Sequence, residues 1–239
     1  EMKEQRLREE VSSVNIYARM FPDAKLKVIE ALKANGDVVA MTGDGVNDGP
    51  ALKAAHIGIA MGLRGSEIAK KAASLILMDD DLSHMVDAVA MGRRIYENLK
   101  KAIQYIISIH IPIILIVTIP LLFFWKFTDF FSPIHVIFLE LIMGPTCSII
   151  FQKEPIEANS MLKKPRKMSS AFFSFRELLL SIIQGLIITA SCLGLGYYFM
   201  KNNSDETQVR TIIYTTLIFS NLFLTLVNRS FYFSIFTTI

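Results

Sequence analysis

The stretch Met41-Thr42-Gly43-Asp44-Gly45-Val46-Asn47-Asp48-Gly49-Pro50 decides how the first hundred residues are read. Before it, Asp37-Val38-Val39-Ala40-Met41 has the apolar run of a short buried strand. Glycines then open a tight turn, and Pro50, favoured in a first helical turn, begins a helix through Ala51, Leu52 and Lys53. This order puts Asp44, Asn47 and Asp48 at the carboxyl end of a strand, where open α/β sheets bind their ligands. Two carboxylates beside an amide suit a hard cation that stays partly hydrated, as Mg2+ does. Gly and Asp are also common turn formers, so Thr42–Gly45 taken alone fits an ordinary loop.

The flanking residues extend the pattern. Ser13–Arg19 alternates, with Val14, Ile16 and Ala18 on one side, which predicts a strand. A helix follows from Pro22, with Asp23 in its positive first turn, an apolar face of Leu26, Ile29 and Leu32, and a stop at Asn35-Gly36-Asp37. Downstream come a short helix to Ala55, a strand Ile57–Met61, a helix Glu67–Ala72 capped by Ser66, and a strand Leu75–Met78. Repeated strand–helix units predict a parallel, doubly wound α/β sheet. The run Asp79-Asp80-Asp81 could bind a metal, but such runs more often end a strand and cap the next helix, here near Leu82 or Ser83.

Composition separates this part from the rest. Of 239 residues, 52% are hydrophobic, yet residues 1–101 hold 15 of the 25 Lys/Arg and 15 of the 22 Asp/Glu. The net charge of +3 gives no nucleic-acid signal, because the basic excess falls among the apolar segments, where orientation bias explains it. Cys147 and Cys192 stand alone, with no disulfide framework and no thiol cluster for a soft metal. The opening residues show no signal peptide and read as the interior of a longer chain.

Residues 1–82 therefore read as a soluble α/β portion and 83–101 as a stalk helix. Apolar spans follow at 102–125, 130–151, 178–200 and 211–228. Between the second and third, the basic loop 152–177 (Lys153, Lys163, Lys164, Arg166, Lys167 and Arg176) is expected on the cytoplasmic side, touching anionic lipid. Residues 229–239 form a tail on that same side. Pro112 and Pro120 interrupt the first span, and either kink it or free carbonyls for a cation. Glu140 is the single charge of the second span and needs a partner, a proton or an ion. Met143-Gly144-Pro145-Thr146 predicts a local break there, and Gly185, Gly194 and Gly196 predict close helix packing in the third span.

The ten-residue string resembles the hinge signature of the P-type cation-transporting ATPases, which pass through an aspartyl-phosphate; position 49 is usually Ala there and is Gly here. The resemblance implies a haloacid-dehalogenase-like phosphorylation domain followed by an all-helical membrane domain with four transmembrane helices in this chain. It implies that Asp44 holds Mg2+, that Asn47 lies near the phosphoryl group and that Asp48 supports the metal site. Lys25, three residues after Pro22, matches the family's lysine that reaches the phosphoryl oxygens, with Lys27 as the alternative. ATP binding and the phosphorylated Asp of an Asp-Lys-Thr-Gly-Thr motif are expected in a missing N-terminal half, so the fragment alone is expected to be inactive.

Phe138–Pro145 is similar to the sixth transmembrane helix of bacterial relatives of the calcium pumps. In those pumps Asn stands at the position of Glu140 and Asp at that of Gly144; the fifth-helix Asn and Glu positions fall on His110 and Ile113. Glu140 and His110 are the candidate transport-site residues, with Thr118, Thr146 and carbonyls as helpers. The resemblance implies ATP-driven transport of a cation, calcium first, by a multi-pass protein of a bacterial inner membrane with residues 1–101 cytoplasmic. Proton, magnesium and manganese pumps, a membrane-tethered phosphatase and an inactive structural fragment stay open as alternatives. Neither a nucleic-acid partner nor an oligomer is read from the sequence.

Overall fold

The computed structural model describes residues 2–166 and 171–229; the side chains at 2–3 and 146–148 lie outside the description, as does nearly all of the expected tail. The chain divides into two compact units, Glu1–Ala88 and Val89–Ile239.

The first unit contains α1 (Met2–Val11), α2 (Pro22–Ala34), β1 (Ala40–Gly43), a 3-10 turn at Val46–Asp48, α3 (Gly49–Ala54), β2 (Ile57–Met61), α4 (Glu67–Ala72) and β3 (Leu75–Leu77). The three strands are parallel in the order β1-β2-β3, with Ala40 opposite Ile57 and Ile59 opposite Leu75. Parallel neighbours need crossovers, and α3 and α4 lie within them. Leu52, Ala60 and Ala69 form the buried centre, with Met41, Ala72 and Ala73 packed on it. The α/β expectation stands. Gly36, at φ 91°, closes α2, where the Asp37 N–H reaches back to the Leu32 carbonyl.

Two strand readings need correction. Ser13–Arg19 forms no strand: Ile16 is 85% exposed, Arg19 turns to φ 53°, and no described strand pairs with the segment. Alternation alone carries no ladder partner. The strand expected at Asp37–Met41 instead runs from Ala40 to Gly43. At Val39 the N–H donates to Nδ1 of His56 at 3.1 Å, so a side chain takes the bond that a ladder partner would have made.

The second unit is built on long helices. α5 (His84–Leu122) crosses from the first unit into it; α6 (Pro133–Lys153), α7 (Phe175–Lys201) and α8 (Glu206–Val227) follow. All four are long and apolar enough to cross a membrane, and the chain is a multi-pass membrane protein. The first span stops short of Trp125 because Phe124 adopts φ 50° and the Trp125 N–H bonds the Pro120 carbonyl, a left-handed helix stop that apolar length cannot reveal. Tyr105, Ile116, Leu139, Cys192, Ile213 and Leu217 are central in the apolar core.

α5 passes unbroken through Pro112, which is buried. The Ser108 carbonyl, whose helical partner the proline removes, faces α7: a Cβ added at Gly185 would lie 2.9 Å from it. Gly196 likewise abuts Ile213 of α8, whereas Gly194 has open space around it and contributes no close approach. α6 also continues through Pro145, so the break expected at Met143–Thr146 does not occur. One proline deprives a single carbonyl of its partner, and the remaining ladder holds.

The basic loop is bound to α5. Lys101 of α5 pairs with Glu157 at 2.8 Å, with both side chains almost wholly buried. Arg94 and Asn98 each donate to the Glu154 carbonyl at 2.8 Å. Glu97 accepts from Ser160 Oγ and Lys163 Nζ, both at 3.0 Å, and Arg166 stacks on the Tyr96 ring. Two of the cations expected at lipid, Lys163 and Arg166, are thus engaged by α5. Breaking a buried pair from one side strands a charge at about 3–5 kcal/mol, whereas removing both charges leaves none. Thermal unfolding in detergent should show Lys101→Met and Glu157→Leu each strongly destabilised and their combination less so than either; additive losses would contradict the pair.

Candidate functional site

β1 ends at Gly43, and the chain turns at once toward α3. Gly43 is required by crowding, since a Cβ there would lie 2.7 Å from Cβ of Asp48. The Asp44 carbonyl accepts from the Ser66 N–H at 2.8 Å, which ties the loop to the start of α4. Val46–Asp48 makes a 3-10 turn, and Gly49 continues directly into α3. The side chains of Asp44 and Asn47 are exposed at this strand end, while Asp48 is buried.

Lys25 reaches Asp48 from the first turns of α2. Its Nζ lies 2.6 Å from Oδ1 of Asp48, and the Gly45 N–H donates to Oδ2 at 3.3 Å. Burial pushes the Asp48 carboxyl upward, but the Lys25 hydrogen bond, the Gly45 amide and the lysine charge outweigh it and hold the group below its ordinary value of 3.8. Lys27, the alternative, is exposed on α2. Lys25, Asp44, Asn47 and Asp48 therefore share one strand end: an anionic pair of residues, an amide and one anchored cation.

The donor set fits Mg2+. Two carboxylates with open space around Asp44 match an ion that binds one or two protein carboxylates and keeps its remaining places for water and phosphate oxygens. With both Asp48 oxygens already engaged, Asp44 is the freer ligand. The run Asp79–Asp81 belongs to a turn. Asp80 accepts from the Leu63 and Arg64 amides, and His84 bridges Asp79 and Asp87 at 2.9 and 3.1 Å. Among the described residues no three His, Cys, Asp or Glu side chains are grouped to hold a metal.

In the second unit, Glu140 and His110 meet, with Oε1 and Nε2 3.4 Å apart. Both line a 640 Å³ cavity that also touches Ile106, Ile109, Met143 and Gly144. Ile113 packs against the apolar core, and Thr118 donates to its own helix at the Ile114 carbonyl. Neither joins the cavity, and the Thr146 and Cys147 side chains lie outside the described residues. Sequence reasoning missed Glu157, the acidic partner of Lys101 on α5, and Glu154, whose carbonyl takes Arg94 and Asn98 and whose carboxylate takes Arg229. Their one signal was a pair of carboxylates, three apart, in a loop read for its cations.

Removing the lysine tests the geometry of this strand end. Lys25→Met leaves the Asp48 carboxylate, 10% exposed, without its cation and should cost about 1–3 kcal/mol in denaturant unfolding of the first unit's signal. Because the folded Asp48 value lies below 3.8, the pair's stabilisation is fully present above about pH 4 and is lost as pH falls through the folded value. The difference between wild type and Lys25→Met should shrink over that acid window; a difference that grows there would contradict the assignment.

Comparison with known proteins agrees with both units. The chain matches the family described as haloacid dehalogenase-like hydrolase over residues 7–56 and the family described as Cation transporting ATPase, C-terminus, over 128–239. It is 35% identical over 229 residues to Calcium-transporting ATPase 1 of Lactococcus lactis, covering 96% of this chain and 26% of that protein. The Calcium-transporting ATPase of Bacillus subtilis is 32% identical, at 93% and 25% coverage. Calcium-transporting ATPase type 2C member 1 of Homo sapiens is also 32% identical, at 96% and 25%. The chain spans about a quarter of the length of these relatives. It belongs to the P-type cation-transporting ATPase family.

Proposed function

We propose that the chain supplies the later part of the phosphorylation site and four membrane helices of an ATP-driven cation pump. The observation that carries this reading is the Lys25–Asp48 pair beside Asp44 and Asn47 at the end of β1, in a chain that also holds Glu140 against His110 in apolar helices. Calcium, the cargo named for the relatives, is the cargo proposed here.

The residues have separate tasks. Asp44, supported by Asp48, would hold Mg2+, which when bound offsets charge on phosphoryl oxygens. Lys25 presents its ammonium to those same oxygens, and Asp48 fixes where that ammonium sits. Asn47 offers an amide for a hydrogen bond near the phosphoryl group. Glu140 and His110 form the membrane site for the cation. Residues 1–101 are placed on the cytoplasmic side of a cell membrane, with the acceptor aspartate and most nucleotide contacts in the N-terminal part of the pump. α5 runs unbroken over 39 residues, His84–Leu122.

The test uses the full-length pump in sealed vesicles. Asp44→Asn should lower ATP hydrolysis and calcium uptake together by about 100-fold or more. Glu140→Gln should abolish uptake and calcium stimulation of the ATPase. Calcium uptake at wild-type rates in both variants would end this reading.

A further inference from the structure

The connection from β3 to α5 carries a further cluster of charges. His84 is the first residue of α5, and its two ring nitrogens face two carboxylates. Nε2 lies 2.9 Å from Oδ2 of Asp79, and Nδ1 lies 3.1 Å from Oδ2 of Asp87. A neutral imidazole has one N–H and one lone pair, and a carboxylate only accepts. Neutral His84 therefore serves one of these partners and turns a lone pair on the other. Imidazolium, with an N–H at each nitrogen, serves both at once.

The turn holds its carboxylates ionised. The Asp81 N–H donates to Oδ1 of Asp79 at 3.3 Å and, ahead of His84, keeps that carboxyl below its ordinary value. The Ser83 N–H does the same for Asp81 at 2.8 Å. Asp80, at φ 60°, is engaged by the Leu63 and Arg64 amides and the Arg64 guanidinium. The groups facing His84 are thus Asp79 and Asp81 from the turn and Asp87 from its own helix, all acidic. Hydrogen bonds from Asp87 and then Asp79 push the imidazole above its ordinary 6.5. The three bridging side chains are at least half exposed, so water delivers and removes the proton directly.

We propose that His84 is a proton-operated latch on the connection between β3 and α5. As imidazolium it ties Asp79, two residues beyond β3, to Asp87 in the first turn of α5. On giving up a ring proton to water it releases one of the two. Because the folded value lies above 6.5, the latch is closed below about pH 6.5 and opens as pH rises through the folded value. Its second arm, Asp87, lies one residue before the end of the first unit at Ala88. The pH around the first unit thus sets how firmly the entry into α5 is held. The latch depends on residues 79–87 alone and holds whichever cation the pump carries.

The experiment uses the full-length pump in detergent. Deuterium exchange at the imidazole C2 position, read by mass spectrometry, follows the titration of a single histidine, and the tryptic peptide of residues 72–93 contains no histidine but His84. Wild type should titrate with a midpoint above 6.5. Asp79→Asn and Asp87→Asn should each lower that midpoint, and the double variant should lower it furthest. At matched pH on the acid side, backbone amide exchange in the same peptide should be about two- to fivefold slower in wild type than in His84→Gln. That ratio should fall toward unity above the wild-type midpoint. A midpoint moved by neither carboxylate variant would overturn the latch. A midpoint moved by only one would reduce the bridge to a single pair and likewise overturn it. An amide ratio that stays constant across the midpoint would make His84 a fixed turn residue and end the proposal.

Discussion

The buried pair of Lys101 and Glu157 sets the terms for the second unit. Neither charge can remain in that position alone, because each is almost completely shielded from water. Their pairing forces residues 153–163 against α5, and the neighbouring groups then follow from the same need to satisfy buried polar atoms. Asn98 and Arg94 converge on one carbonyl, that of Glu154, while the carboxylate of the same residue takes Arg229 from the end of α8. Glu154 thus links the loop to two helices distant in sequence. Lys100 pairs with Glu177, in the first turn of α7, at 2.7 Å. Both ends of the segment between α6 and α7 are fastened by charges on little more than two turns of one helix.

A similar rule acts deeper in the apolar region, where no charge is available. Pro112 leaves the Ser108 carbonyl without its helical donor, and α7 comes close at a residue with no side chain. Ser108 Oγ lies 3.1 Å from the Ser181 carbonyl and 3.2 Å from Gln184. Small residues on one helix and a proline on the other turn a gap in the ladder into a packing contact. That use competes with exposure to an ion. A carbonyl turned toward Gly185 lies outside the cavity that His110 and Glu140 share.

Much of the first unit was legible because its signals are local. Ser66 caps α4 by accepting from the Ala69 N–H, Gly36 ends α2, and Ile57–Met61 forms the strand its composition predicts. The hinge string located Asp44, Asn47 and Asp48 because glycine spacing and strand position are encoded within ten residues. Ser13–Arg19 failed for the opposite reason: a strand exists only with a neighbour, and alternation contains no information about one. The loop to α5 was illegible in the same way. Nothing beside Glu157 in sequence announces Lys101, 56 positions earlier, and the abundance of cations around it pointed to lipid. Phe124 was hidden because a left-handed stop is unusual for an aromatic residue.

The membrane site joins these two kinds of signal. Glu140 was visible as a charge in an apolar run, but its meaning depended on which of the four positions corresponding to the calcium pumps' ligands kept a polar group. Two did not: Ile113 packs into the core, and Gly144 opens onto the cavity with no atom near its missing side chain. The two that did, His110 and Glu140, are the two that touch. If the polar groups survived only as isolated remnants, nothing would require them to face each other across two helices, and an unpaired carboxylate in a span would be a liability. Their contact shows that the polar groups kept at positions 110 and 140 are brought together, while positions 113 and 144 keep none. The anchoring of Nδ1 to the Ile106 carbonyl fixes the ring so that Nε2 faces Glu140 across the two helices.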